Sequence, residues 1–479
     1  MFDLAIVGAG PAGMSAALTA ADQGLTVIII DEQQRAGGQI FRQPPETFTG
    51  SLLRPTAGYG WATELIGRFE ADERLTKRFG WSAIGVLYED TAPDSLRVAV
   101  NHTEHGTQVI AARRLLIATG AYDLPVAFPG STLPGIMTAG GVQTLVKAQK
   151  TAPLGDVVLA GAHPLLLLVA DLLVSNGVPV REVAFAQSLP TPKDMLHALG
   201  AVPGHLRMLV ETGAILARLI RGGVRMSPRT LVTAAHGTHR VARIELARVD
   251  RSWRVKSAPR TVVAAHLVLG YGFSASTELA RQIGCELAFD SLRGGWVVAH
   301  DERLRTSASG VYVAGEPTGV AGAEQSRAQG ALSALAIAAD LGRTVPGAAF
   351  ARAEREVAGA ARFSTVVQRL FEPVREALGD LATRETTVCR CEMVTRGALD
   401  DFLESARFVS DVNAVKLACR TGMGPCQGRY CENTVAAVLS SARDQTIGLG
   451  GFFSSHLPIK PVPVGDLCAL DSVPERPGP

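Results

Sequence analysis

Aromatic residues make up only 5% of the 479-residue sequence, too few for the base-stacking platforms of single-stranded nucleic-acid binders. Excess charge of either sign is missing too. The 47 Lys and Arg nearly balance the 45 Asp and Glu, leaving +2, so nothing electrostatic points to nucleic acid or an anionic membrane. No apolar run is long enough to span a bilayer; the longest, Pro164 to Val174, is broken by Asp171. No basic stretch precedes the opening strand at Met1-Phe-Asp-Leu, so a signal peptide is not expected and a cytoplasmic location is. Cysteine is scarce through most of the chain, and the N-terminal 280 residues have none. A thiol–disulfide reductase would need a cysteine pair there, beside its flavin.

What is abundant is glycine, with 50 residues, alongside 26 prolines. That usage suits the tight turns of α/β nucleotide-binding folds, and the length suits about three domains. The first 32 residues read as strand, turn, helix and strand. Residues 3 to 7 form a short apolar strand, Gly8-Ala-Gly10-Pro11-Ala12-Gly13 a glycine turn, and 14 to 23 a helix that ends at Gly24. A second strand, 26 to 30, runs into Asp31 and Glu32. The glycines allow a tight turn and close approach of backbone to a pyrophosphate, which the helix N-terminus favours. Asp31 is placed to bond a ribose hydroxyl, with Glu32 as the alternative. The stretch Ala36-Gly-Gly38-Gln39-Ile-Phe-Arg42 follows, and Gly38, Gln39 and Arg42 are candidates to approach a flavin-side phosphate or ribityl chain. Two later strand ends complete the candidate site: Thr119-Gly120 after Leu115-Leu-Ile-Ala, and Gly315-Glu316 after Val311-Tyr-Val-Ala.

A second strand–turn–helix begins at Asp156-Val-Val-Leu-Ala-Gly161-Ala-His163-Pro-Leu-Leu166. Only its first glycine remains; His163 and Leu166 hold the other two glycine positions. A Cβ at the second position blocks a pyrophosphate, so the fold is expected here without productive NAD(P)H binding.

Five of the seven cysteines fall between residues 389 and 431. Cys389-Arg-Cys391 and Cys426-Gln-Gly-Arg-Tyr-Cys431 supply four thiolates in two close couples. A [2Fe–2S] centre takes two protein sulfurs per iron, and structural zinc takes four around one ion; spacing alone leaves both open. The tight spacing favours 389 with 391 and 426 with 431 as couples, with Cys419 as an extra nearby thiol. Thr395 is placed to cap a helix that begins at Arg396.

Cys389-Arg-Cys-Glu-Met-Val-Thr395 and Arg420-Thr-Gly-Met-Gly-Pro-Cys-Gln-Gly-Arg-Tyr-Cys431 resemble the ferredoxin-like [2Fe–2S] module related to bacterioferritin-associated ferredoxin. The order of flavin-type fold and module resembles the α subunits of opine oxidases, of hydroxyproline and proline dehydrogenases, and of hydrogen cyanide synthase. Ala118 to Gly130, Leu133 to Gly140, Gly294-Gly-Trp296 and Leu457 to Pro463 add to the resemblance, which covers nearly the whole chain. It implies an α/β two-dinucleotide-binding flavoprotein fold with a small helical [2Fe–2S] domain. The expected boundaries are 1–125 with 285–345 for the FAD-type domain and 126–284 for the inserted, degenerate NAD(P)-type domain. A helical linker over 346–385, the cluster domain over 386–445 and a Pro-rich tail over 446–479 complete the division. It implies metal ligands at Cys389, Cys391, Cys426 and Cys431, and FAD, or another ADP-containing nucleotide, in the N-terminal site. Family members usually place Asp where Glu316 stands, one methylene shorter.

The resemblance also implies an electron-transfer subunit of a hetero-oligomer. A β subunit resembling FAD-dependent D-amino-acid oxidases would oxidise a C–N bond of an opine, a proline-type or another amino acid. FMN would sit at the subunit interface, a further small subunit is allowed, and electrons would leave to an acceptor such as a quinone, the one route to peripheral membrane association. No residue of this chain is a candidate for substrate oxidation itself. The alternatives are an NAD(P)H-dependent reductase acting alone and a glycine dehydrogenase subunit that forms hydrogen cyanide.

Overall fold

The computed structural model describes residues 1–45, 47–48, 59–87, 95–188 and 206–471. The proline-bearing loop expected between Pro190 and Gly204 lies outside the described residues. The chain folds into two units. One comprises residues 1–121, 275–364 and the segment from Ser454 onward; the other comprises 122–274 and 365–453.

The first unit is built on a seven-stranded sheet. Its parallel part runs Leu75–Phe79, Val27–Asp31, Phe2–Val7, Gly106–Ile117, with Val311–Val313 also beside Gly106–Ile117. Leu96–His102 and Ser82–Leu87 extend it antiparallel. Leu4 to Val7 and Val27 to Ile30 are buried on both faces, as expected where helices cover a parallel sheet. The fingerprint helix, Pro11–Asp22, starts three residues earlier than the apolar pattern alone indicates, because Pro11 brings a pre-set φ to the first turn. It lies against Ala323–Asp340, and both helices are rich in Ala and Gly where they meet. A Cβ on Gly330 would stand 2.1 Å from the Ala12 carbonyl oxygen. The tail returns to this unit: Ile459 is buried in its core and pairs its N–H with the Ile84 carbonyl.

The second unit contains a five-stranded parallel sheet in the order Arg225–Pro228, Val180–Phe185, Val157–Gly161, His266–Gly270, Ile136–Thr138. A three-stranded antiparallel sheet, Thr230–His236, Arg243–Arg248 and Arg260–Val263, packs with it around Leu231, Leu246, Trp253, Leu267 and Tyr271. The same unit carries the cysteine module. A short ribbon, Thr387–Cys389 with Val394–Thr395, leads into helices Arg396–Ser405, Val412–Cys419 and Glu432–Arg443 around Leu399, Val412, Val438 and Phe453. Thr395 caps the first of these, its Oγ1 accepting the Ala398 N–H at 3.3 Å. Among the described residues no helix is long and apolar enough to cross a membrane.

Two helical glycines should respond oppositely to alanine. Gly330→Ala forces a methyl into backbone and should cost about 1–3 kcal/mol. Gly359 meets only the tip of Arg362, at 3.8 Å, so Gly359→Ala should add about 0.5–1 kcal/mol by removing unfolded-state entropy. Urea midpoints moving in opposite directions would verify both.

Candidate functional site

The first glycine turn is shaped by contacts that no side chain fits. Gly8 has φ of 110°, and a Cβ there would lie 2.2 Å from the Ala118 carbonyl oxygen. At Gly13 a Cβ would lie 1.8 Å from the Gly8 oxygen. The Gly37-Gly38 turn closes from the other side, with the Gly37 N–H on the Ala9 carbonyl at 2.9 Å and a Gly38 Cβ position 2.8 Å from the Gly10 Cα. A Cβ on Gly315 would stand 3.0 Å from the Ala12 Cβ. Gly10 precedes the helix without a side-chain cap, which leaves the amides of the first turn, Pro11 apart, available to an anion. Arg42 adds a cation. Its guanidinium donates to Gln33 at 2.8 Å, and its Nε is buried without a partner. Gln39 donates to the Ala121 carbonyl. Thr119 donates to the Ser276 carbonyl at 2.8 Å, and the Gly120 carbonyl accepts the Ser276 N–H, so the Ala-Thr-Gly turn is pinned from behind. This bare-backbone cradle fits a dinucleotide-type ligand.

The three acids are arranged less simply than their spacing suggests. Both oxygens of Asp31 are engaged internally, accepting the Ala9 N–H at 2.6 Å and the Gln33 N–H at 2.8 Å. Burial raises its pKa against the pull of those amides. Asp31 therefore locks the glycine turn, while Glu32 points to the surface and pairs with Lys460 of the returning tail. Glu316 is half-buried, desolvation raises its pKa, and it accepts N–H groups from Gly322 at 2.9 Å and Ala321 at 3.4 Å. Its extra methylene lets it cap its own loop ahead of helix Ala323–Asp340. Lys460 was not among the residues read from sequence as part of this site; its only signal was its place in the Leu457–Pro463 motif.

The second glycine turn is filled. The Ala162 and His163 N–H groups both go to the Gly270 carbonyl, at 2.8 and 2.9 Å. The His163 Nδ1 accepts the Leu165 N–H at 3.2 Å, and its ring meets Phe273 edge-on. Leu166 is buried against Gly270, where a Cβ would be 2.7 Å from it. Amides and space that a pyrophosphate would use are occupied by the protein.

In the cysteine module, Cys389 ends a ribbon strand, Cys391 follows in the turn, Cys426 sits in the Gly422–Gly428 loop, and Cys431 precedes helix Glu432–Arg443. Cys389 and Cys431 are buried and Cys391 is exposed. Gly422 and Gly428 have φ of 75° and 92° and lie on the Phe453 ring, where added Cβ atoms would come within 2.6 and 2.5 Å. A Cβ on Gly424 would be 2.3 Å from the Cys391 Cβ. This folding brings the sulfurs of the two motifs against each other. Cys431 bonds Cys389, and with the amides of Gly422, Glu392 and Cys391 it pulls the Cys389 thiol down to about 5, against burial. Cys431 is pushed far upward by the same pairing and by burial. Cys391 pairs with Cys426: the Cys426 amide favours its thiolate, but burial and the neighbouring thiol raise it overall. The two couples expected from spacing are thus brought against each other, because the glycine loop closes over the ribbon. Among the described residues no three His, Cys, Asp or Glu side chains converge on one point. Four thiols brought together suit a two-iron centre and one tetrahedral ion alike. Cys419 ends helix Val412–Cys419, half-buried beside the module core.

The comparisons with known proteins agree with this anatomy. Residues 2–335 match the pyridine nucleotide-disulphide oxidoreductase family, and residues 387–441 match the BFD-like [2Fe-2S] binding domain. An opine oxidase subunit of Agrobacterium tumefaciens is 32% identical, over 98% of this chain and 92% of that protein. Hydrogen cyanide synthase subunit HcnB of Pseudomonas aeruginosa is 31% identical, over 96% of each. The fold is shared with L-proline dehydrogenase from P. horikoshii, at a TM-score of 0.68 and 22% identity, over 97% of this chain and 79% of that one.

Burial in the closed turn pushes the His163 imidazole down to about 4. The unfolded chain takes up a proton below its ordinary pKa of about 6.5 while the folded state does not, so stability falls as pH drops from about 6.5 towards 4, by up to about 1.4 kcal/mol per unit. His163→Gln should flatten this part of the profile, as read by urea denaturation at pH 7, 6 and 5.

Proposed function

From the chain's membership of the pyridine nucleotide-disulphide oxidoreductase family, and from its BFD-like [2Fe-2S] domain, we propose that this flavin and iron–sulfur oxidoreductase subunit is the electron-transfer member of a hetero-oligomeric dehydrogenase. A partner subunit resembling the FAD-dependent D-amino-acid oxidases takes the substrate and oxidises a C–N bond of an opine, a proline-type or another amino acid. The observation that carries this reading is the filled second nucleotide turn. With the Ala162 and His163 amides held by Gly270, reducing equivalents enter from a partner rather than from NAD(P)H.

The residues divide the work. Gly8, Gly10, Pro11, Ala12, Gly13 and Gly38 hold the diphosphate of FAD, or of another adenine nucleotide, with Arg42 as counter-charge. Gln39, Thr119, Gly120 and Gly315 shape its walls, and Glu32, held at the surface by Lys460, is the acid that faces the ribose. Asp31 and Glu316 act one step back, fixing the loops. Cys389, Cys391, Cys426 and Cys431 hold the iron centre, with the Gly422, Glu392 and Cys391 amides turned towards sulfur. When bound, a flavin handles electrons in pairs and the cluster passes them singly. FMN at the subunit interface and a quinone-type acceptor complete the proposal.

Cys426→Ser should remove the visible iron–sulfur absorption of anaerobically prepared protein, and Cys419→Ser should leave it. The reverse result would reject the ligand assignment, and zinc in place of iron would reject the redox role. In the purified hetero-oligomer, amino-acid or opine substrate should bleach the flavin and NADH should not; bleaching of the isolated subunit by NADH would favour a self-sufficient reductase.

A further inference from the structure

Arg375 opens the short helix Arg375–Gly379, and it is only 7% exposed. A guanidinium taken out of water needs compensating negative charge, or it is a standing cost to the fold. Its direct partner is neutral: the Asn433 Oδ1 accepts from Nη1 at 3.1 Å, and Nε is buried with no partner. The carboxylates that act on it from a distance are Glu376, which is exposed, and Glu372, which is half-buried. Burial pulls Arg375 down to about 10 against those two acids, so it stays protonated at neutral pH. Leu124, Leu378, Thr434 and Ala437 line the same small cavity as Arg375 and Asn433, so the surroundings are largely apolar and screening is weak.

The other half of the observation is where the cation is held. Asn433 stands two residues after Cys431, in the first turn of helix Glu432–Arg443. Its amide is fixed from both sides, accepting from Arg375 and donating to the Ser274 Oγ at 3.1 Å. Gly379 presses the short helix directly onto this one, since a Cβ there would be 2.6 Å from the Ala437 Cβ. A buried cation is thus clamped to the first turn of the helix that Cys431 caps.

We infer that Arg375 is a positioning residue that tunes the iron–sulfur centre, a buried counter-charge held by Asn433 beside the Cys431 helix that raises the centre's reduction potential. This rests on the assignment of Cys389, Cys391, Cys426 and Cys431 as ligands. The reduced centre carries one more negative charge than the oxidised one, so a nearby cation in a poorly screened interior stabilises the reduced form more. The effect on electron flow is to make the centre a better acceptor from flavin.

The test is an anaerobic redox titration of the full-length, cluster-loaded protein, followed by electron paramagnetic resonance and visible circular dichroism. Arg375→Met and Arg375→Gln should shift the midpoint potential to more negative values, with iron content and visible spectrum unchanged. Arg375→Lys should stay near the wild-type value. The Met variant is the more secure of the neutral pair, because apolar volume in place of a desolvated ion is tolerated or stabilising. Neutral variants that keep the wild-type potential would overturn the inference, as would a Lys variant that shifts as far as Met, since packing rather than charge would then be responsible. Wild-type protein that holds no iron would instead remove the ligand assignment beneath it.

Discussion

Close approach of bare backbone is the constraint on which both candidate centres depend. In the cysteine module, Gly422 and Gly428 lie flat on Phe453, and Gly424 touches the Cys391 Cβ. A side chain at any of these positions would push the loop away from the ribbon. The four sulfurs would then fall back into two distant couples, each near in sequence and useless to a shared centre. The apolar residue beneath is as much a part of the site as the cysteines, because Phe453 sets the height at which the loop rests. The same logic governs the nucleotide cradle, where Gly8 and Gly13 let strand, turn and helix meet at less than van der Waals distance from any possible Cβ.

The two βαβ units show what happens when that constraint is kept and when it is relaxed. In the first, the turn is bare, and the amides of the helix start are left for a ligand. In the second, Leu166 enters the space and a main-chain carbonyl takes the amides. The fold survives because the buried strand Val157–Gly161 and its helix Leu165–Ser175 still pack in the same sense. A scaffold of this family thus retains the architecture of a second nucleotide site while its glycine turn is closed by the protein's own atoms.

Much of this was legible from the chain alone. The fingerprint turn, the buried strands beside it, the Thr395 cap and the grouping of cysteines are local patterns, each set by neighbours within a few residues. The roles of the acids were not. Asp31 looks like a ribose ligand by position, but its oxygens are taken by Ala9 and Gln33, a result of loop closure that spacing does not encode. Lys460 lies 428 positions from Glu32, and Arg375 lies 58 from Asn433. The approach of the two cysteine motifs to each other was hidden for the same reason. Tight spacing reports which cysteines are close along the chain, while tertiary folding decides which are close in space.

The route of the chain carries one more implication. The nucleotide-binding unit begins with the first strand, yet it is completed by Ile459, a core residue that follows the whole cysteine module. During synthesis this unit stays unfinished until the cysteine module and the Ile459 segment behind it have emerged from the ribosome. Cutting the gene after the cluster helices would leave a hole in the interior of the first unit, so the two modules are inherited together rather than as parts that can be separated by truncation.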